Sequence, residues 1–233
     1  MNLMKKPGSM VAGLAAALAL FYLAIDVVDR QPSLTRTFNR IYAEGTWAKD
    51  ASGKGTSGSG STLEITQEYR AYVEDFIKKH AVKSVIDAGC GDWGFSSAMD
   101  WGDASYLGID IASDVIEAVR KKYERGKIRF QIGDITEDLP AADLLISKDV
   151  LQHLSNKLVH QFIKNNLRKG KYKWVILTNN RGSENRDISN GGYRMIDLAV
   201  SPFEVKGLID LPIKFGTETG KVTSLLDLTQ QQP

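Results

Sequence analysis

The stretch "VIDAGCGDWG", residues 85–94, decides how the rest of the chain is read. A β-prone apolar run ends in Asp87 and is followed at once by Gly89, Gly91 and Gly94 in the spacing GxGxxG. That spacing places a tight turn after a strand and lets backbone approach a ligand closely, but several nucleotide-binding folds share it. The neighbouring residues therefore have to identify the ligand.

Outward from this turn the chain alternates. Strand-like apolar runs at 84–87, 105–110, 127–132, 143–147 and 173–178 are separated by helix-like stretches. Val115, Ile116 and Val119 form one helical face, and Leu158, Val159, Phe162, Ile163 and Leu167 form another between Ser155 and Gly170. An entry helix is expected from Ser61 and Glu64, which have the form of a capping box, through Tyr69, Tyr72, Val73, Phe76, Ile77 and His80. Such βα alternation builds a mostly parallel sheet.

In an open parallel sheet the ligand lies beyond the carboxyl ends of the strands. Here those ends are polar: Asp87, Asp110, Asp134, then Ser147, Lys148 and Asp149, then Asn179 and Asn180. A pyrophosphate beside this turn would meet Asp87 and Asp92, and like charges in a partly dry site repel strongly. A ligand carrying a sulfonium and an amino group is instead attracted by the same acids. Asp110 is placed to take a ribose hydroxyl, a role common to both ligand types. Asp134 either meets an adenine amino edge or caps its own turn, and Ile111 and Ile135 are placed to sandwich the ring.

With these residues the chain resembles the class I S-adenosylmethionine-dependent methyltransferases. "VIDAGCGDWG" is similar to their first motif, "YLGID" to the second, "FQIGDI" to the third and "DLLISKDVLQHLS" to the strand-four segment, over residues 60–230. Trp47 with "SGSGS", "KDVLQHLS" and "NRDISNGGYRMIDLAVSPF" resemble bacterial members associated with sugar or polysaccharide modification. The resemblance implies a Rossmann-like α/β fold with helices on both faces of a seven-stranded sheet, its last strands near 207–214 and 223–228 and the final one antiparallel. It also implies S-adenosylmethionine as cofactor, bound by Asp87, Gly89, Gly91, Asp110, Ile111, Asp134, Ile135 and Lys148, with Trp93 packing beneath it or pointing to the acceptor.

Methyl transfer to a hydroxyl calls for a base near the acceptor oxygen. Asp149 and His153 stand four apart and would share a face if "KDVLQHLS" is helical, forming a carboxylate and imidazole pair. The polar stretch 181–194 reads as a loop over the strand edge, and the resemblance implies Asn185, Asp187 and Arg194 as contacts to a sugar, glycan or related small hydroxyl acceptor.

Thirty basic against 28 acidic side chains give a formal net charge of +2 and no bulk attraction for nucleic acid. A lone Cys90 and three scattered histidines offer neither an internal disulfide nor a metal set. Met10 to Ile25 is sixteen residues without a charge, and residues 10–28 approach the length of a membrane span. A membrane anchor with a cytoplasmic catalytic domain is expected; a docked or surface helix on a cytoplasmic protein and a cleaved signal peptide are the alternatives. The expected organisation is a hydrophobic helix at 1–30, a linker and Gly/Ser-rich lid at 31–61, and a catalytic domain at 62–233. Two other functions use the same turn: a nicotinamide-dinucleotide oxidoreductase, and a membrane-tethered scaffold that binds S-adenosylmethionine without catalysis.

Overall fold

The computed structural model describes residues 34–216 and 220–229. Seven strands form one sheet: β1 Ser84–Ala88, β2 Ser105–Asp110, β3 Ile128–Ile132, β4 Leu144–Ser147, β5 Trp174–Asn180, β6 Leu208–Asp210 and β7 Lys221–Asp227. Their order across the sheet is β3-β2-β1-β4-β5-β7-β6. The first five pair in parallel, and β7 runs antiparallel to both β5 and β6. The order reverses beside β1, so β1 and β4 diverge at the switch point where such sheets bind ligands.

Among the described residues, four α-helices cover the sheet: α1 at 34–44, α2 Gln67–Lys79, α3 Ser113–Tyr123 and α4 Asn156–Asn166. Alternate residues of β1 feed two core clusters. Ile86 joins α1 and α4 through Leu34, Phe38, Leu158 and Phe162, whereas Val85 joins α2 and α3 through Tyr69, Val73, Phe76 and Ile116. Period-2 strands between period-3.6 helices thus put helices on both faces, as the sequence leads one to expect.

Three local features differ from the sequence reading. Helix α2 begins at Gln67 rather than at a Ser61–Glu64 box, because Thr66 donates through both its amide and its hydroxyl to the Thr62 carbonyl and holds 62–66 as turns. Of the segment 31–61 expected as a linker, the described part, 34–61, is more than a linker. Leu34, Phe38, Ile41 and Tyr42 recur along one face of α1 and are buried in the core. Beyond α1, residues 46–61 cross the sheet edge as a strap, pinned where the Ser57 amide donates to Asp92 Oδ2 and the Asp92 amide donates to Ser57 Oγ, both at 3.0 Å. The apolar stretch 10–28 lies outside the described residues. Among those described, no helix is long and apolar enough to cross a membrane.

Candidate active site

A cavity of about 830 Å³, counted with its mouth, opens over the carboxyl ends of β1, β2 and β4. All eight residues expected to hold the cofactor line it: Asp87, Gly89, Gly91, Asp110, Ile111, Asp134, Ile135 and Lys148. Strand register explains the convergence, since Asp87 and Asp110 lie at the ends of neighbouring parallel strands, two positions apart in register.

The glycines are required by what covers them. Gly89 has φ +87°, and a Cβ there would stand 2.4 Å from Val150 Cγ2. Gly91 has φ +55°, and a Cβ there would stand 2.4 Å from Ser57 Oγ and 2.8 Å from the Tyr42 hydroxyl. Each is in the left-handed region and also under a close contact, so neither tolerates a side chain.

The turn's donors are already engaged. The amides of Gly89 and Cys90 donate to the Ile109 carbonyl, Gly91 to Asp110 Oδ2, Asp92 to Ser57 Oγ, Trp93 to the Cys90 carbonyl and Gly94 to Asp92 Oδ1. A phosphate-binding glycine loop needs such amides unpaired and aimed at the ligand from a helix N-terminus. Here a three-residue 3-10 turn, Ser96–Ala98, follows instead of an α-helix. The loop is therefore self-satisfied and edged with carboxylate, a poor cradle for a diphosphate and a good wall for a cation.

Asp87 is 4% exposed and accepts a 2.6 Å hydrogen bond from the Tyr106 hydroxyl. Burial drives its carboxyl up to about 7; the Tyr106 bond and Lys148 pull it down, and Asp110 adds to the rise. Burial likewise raises Asp110, against the bonds it accepts from the amides of Ala112 and Gly91. Asp134 accepts from the amide and hydroxyl of Thr136 through Oδ1, so it caps its turn while it lines the cavity. An ammonium or sulfonium entering here would ionise Asp87 and relieve the burial cost of these acids.

Asp149 and His153 both line the cavity, but they do not form the expected pair. Asp149 sits at φ +57° and ends the strand-four segment, and only a 3-10 turn, Leu151–His153, follows; no helical face brings the two side chains together. Asp149 Oδ2 instead accepts from Lys148 Nζ at 2.6 Å and Lys221 Nζ at 2.8 Å, and Oδ1 accepts from the Thr178 hydroxyl. Burial raises its carboxyl, but the two ammonium groups outweigh that and hold it below the usual range. A carboxylate so engaged is a poor base. Lys148 Nζ also donates to the Gly60 carbonyl, which ties the strap to the cavity.

The His153 ring has another orienting partner, the Gly192 carbonyl, 2.7 Å from Nδ1. A carbonyl only accepts, so Nδ1 carries the proton and Nε2 keeps its lone pair. Burial lowers the imidazole's pKa, against opposing effects from the Gly192 bond and Asp149. The ring packs against Trp47 at a tilt of 36°, with centroids 4.6 Å apart.

Asn185, Asp187 and Arg194 do not line the cavity. Asn185 is buried at φ +53° and its amide nitrogen donates to the carbonyls of Asp197 and Ser201. Asp187 accepts from the Asn156 amide at the start of α4, and Arg194 donates to the Leu154 carbonyl and Asn156 Oδ1. Their polar atoms pin the 181–205 loop against the turn that carries His153. Trp93 also departs from expectation: it is 2% exposed and packs on Tyr106, Tyr123 and Phe130 in the second core cluster, away from the cavity. Conversely, Leu34, Phe38, Tyr42, Trp47 and Ser57 line the cavity without having been singled out for it. For the α1 residues the signal was there, an apolar i, i+4, i+7 spacing within the presumed linker.

A glycine turn whose amides are all spent internally, walled by the buried Asp87 and Asp134 and the half-buried Asp110, separates this site from dinucleotide sites. Residues 79–187 match the family model of a methyltransferase domain. The matched region runs from the end of α2 through β5 into the following loop, and so contains every strand end that faces the cavity. No curated protein sequence matches the chain. Among solved structures, the N-methyltransferase NodS from Bradyrhizobium japonicum, in complex with S-adenosyl-L-homocysteine, aligns with a TM-score of 0.56 at 14% identity over 73% of this chain and 91% of its own. An O-methyltransferase family protein from Burkholderia thailandensis aligns at 0.54 and 11% identity over 73% of this chain and 58% of its own. Human N-acetylserotonin methyltransferase in complex with SAM aligns at 0.51 and 15% identity, over 72% and 54%. The match thus spans little more than half the length of the last two, and at these identities the likeness is one of fold.

Proposed function

We propose that the chain is an S-adenosylmethionine-dependent methyltransferase acting on a hydroxyl of a small acceptor. The observation that carries this reading is the self-satisfied glycine turn among Asp87, Asp110 and Asp134, which suits a cationic, phosphate-free nucleoside. The methyltransferase-domain match supports it.

Asp87 would hold the cofactor's amino group, Lys148 its carboxylate, Asp110 a ribose hydroxyl, and Asp134 with Ile111 and Ile135 the adenine. When bound, the cofactor supplies a methyl on a positively charged sulfur, which keeps the bonding pair as a neutral thioether when the acceptor oxygen takes the carbon. The remaining tasks belong to the protein: to align the acceptor, to exclude water, and to take the hydroxyl proton. His153 Nε2 takes that proton, with the Gly192 carbonyl holding the ring and Asp149 acting only through the lysines it pins.

The sugar or glycan reading comes from the likeness of Trp47 with "SGSGS", "KDVLQHLS" and "NRDISNGGYRMIDLAVSPF" to bacterial members of that kind, with Asn185, Asp187 and Arg194 as the implied contacts. None of the three lines the cavity, so they lend a saccharide no support there, and the hydroxyl-acceptor reading does not depend on them. We further propose, from the uncharged run Met10–Ile25 alone, that the chain is tethered to a membrane with the catalytic domain on the cytoplasmic side.

The test is a thermal-shift series on the full chain with S-adenosylhomocysteine and with nicotinamide dinucleotides, followed by labelled methyl transfer from S-adenosylmethionine into a lysate. Stabilisation by S-adenosylhomocysteine alone, with transfer, is the expected result. Stabilisation by the dinucleotide alone would replace this reading with the oxidoreductase one. Cofactor binding without transfer to any fraction would leave the scaffold.

A further inference from the structure

Five aromatic rings run without a gap from the cavity wall to the protein surface. Phe38 and Tyr42 of α1 lie 6.1 and 5.3 Å from Trp47, Trp47 lies 4.6 Å from His153, and His153 lies 5.9 Å from Tyr193. The first four line the cavity. Tyr193 lies outside it and is 63% exposed, and Met195 beside it is 55% exposed. His153, which carries the neutral imidazole nitrogen assigned above as base, is the ring that joins the cavity part of this array to the exposed Tyr193.

We propose that this array is the acceptor site and that it takes a planar aromatic hydroxyl compound, a phenol or naphthol, rather than a saccharide. The inference rests on the methyltransferase reading and names the substrate class of that site.

Two independent features favour an aryl hydroxyl. The first is the composition of the wall. Outside the acids and Lys148 given to the cofactor, the cavity offers Leu34, Val150 and Leu154 beside the rings; the Ser57 hydroxyl is already paired with Tyr42 and the Asp92 amide, Asp149 is held by Lys148, Lys221 and Thr178, and Ser61 adds a further hydroxyl. A sugar ring needs partners for several hydroxyls, because each one buried unpaired costs free energy. A flat aromatic ring needs faces and edges to pack against, and aromatic pairs gain beyond the area they bury.

The second feature is the strength of the base. Burial weakens the basicity of the His153 imidazole, and the Gly192 carbonyl is a weaker support for a protonated ring than a carboxylate would be. Proton transfer to such a base is easiest from an acidic hydroxyl. An aryl hydroxyl ionises near pH ~10, as the tyrosine side chain does, and aliphatic alcohols are far weaker acids. In the balanced step the aryl oxygen bonds the methyl carbon, the carbon–sulfur pair stays on sulfur, and the proton ends on Nε2.

The test uses calorimetry on the full chain, in the presence and absence of S-adenosylhomocysteine, with 2-naphthol and methyl α-glucoside as probes. Saturable 2-naphthol binding at one site is expected, with glucoside binding at least about tenfold weaker. Tyr193→Ala is exposed and so leaves the fold intact; it is expected to weaken naphthol about five- to tenfold, the worth of one ring contact, while S-adenosylhomocysteine affinity stays unchanged. Trp47→Phe, which keeps a ring, is expected to retain most of the naphthol affinity. If S-adenosylhomocysteine binds but the glucoside is preferred, or if Tyr193→Ala leaves naphthol binding unchanged, the inference is overturned and the methyltransferase reading stands. If S-adenosylhomocysteine fails to bind while naphthol still binds at a site sensitive to Tyr193→Ala, the aromatic subsite stands and the methyltransferase reading falls. Failure of both removes both.

Discussion

The Nδ1 nitrogen of His153 lies 2.7 Å from the carbonyl oxygen of Gly192, a residue 39 positions further along the chain. This bond fixes the tautomer, leaves Nε2 as the basic nitrogen and requires no carboxylate partner. Burial favours the neutral ring. A base works in its neutral form, so activity is retained above its pKa and lost as pH falls through it. Since that pKa is depressed, the acid limb of kcat, measured with both substrates saturating, should have its midpoint below the ordinary histidine value of about 6.5. His153→Gln should abolish the limb and lower kcat by roughly 10²–10⁴-fold. A limb centred above the ordinary value would remove His153 from this role.

Asp149 and His153 should separate cleanly by mutation. Asp149 stands between the ammonium groups of Lys148 and Lys221, whose side chains are almost wholly buried. Taking one partner from a buried charge cluster costs about 3–5 kcal/mol. Asp149→Asn should therefore lower unfolding free energy by about 3 kcal/mol in urea titration, whereas His153→Gln should change it by less than about 1 kcal/mol. Equal stability losses in the two variants would contradict the division of roles.

The contrast between these two residues shows how far the sequence reaches. Asp87, Asp110 and Asp134 were legible because an acid that ends an apolar run announces both its strand and its edge, and parallel pairing then brings the edges together. The partners of Asp149 were not legible in that way. Lys221 arrives 72 positions later on the antiparallel strand β7, and the αL conformation of Asp149 removes the helix that four-residue spacing presumes. Trp47 and Gly192 escape a periodicity search because both sit in irregular segments, where neither a 3.6 nor a 2.0 repeat applies. Helix α1 was legible in principle, but the glycines and serines of 51–61 gave the whole 31–61 segment the look of a tether.

The strap should answer to a single methyl group. Gly91→Ala would put a Cβ against Ser57 Oγ and the Tyr42 hydroxyl and force the strap outward. Gly102 has the same φ of +55° with nothing within 4 Å, so Gly102→Ala carries the backbone strain alone. That strain is worth roughly 1 kcal/mol. Gly102→Ala should lose about this much stability and Gly91→Ala more, and only Gly91→Ala should weaken S-adenosylhomocysteine binding, by about tenfold or more, and speed amide exchange across 55–60. Matched binding in the two variants would mean that the strap does not close the cofactor site.

Asp87 links the cofactor to pH. Its carboxyl is raised to about 7 in the fold, chiefly by burial, and the proposed ligand would place an ammonium beside it. Below that pH the carboxyl holds a proton that binding must expel, so S-adenosylhomocysteine affinity should rise with pH up to about 7 and then level off. The slope below should approach tenfold per unit. The stability of the ligand-free protein moves the other way: an acid whose pKa is raised on folding loses stability as pH climbs from its unfolded value, near 4, to about 7. Asp87→Asn, which keeps an acceptor for the Tyr106 hydroxyl, should thus stabilise the ligand-free protein at pH 8 by on the order of 2 kcal/mol, a Tm gain of several degrees. The same change should cost at least about a hundredfold in S-adenosylhomocysteine affinity, since a charged hydrogen bond to the amino group is lost. A variant that is stabilised yet binds normally would show that Asp87 faces no cation, and the assignment of the cavity would fall with it.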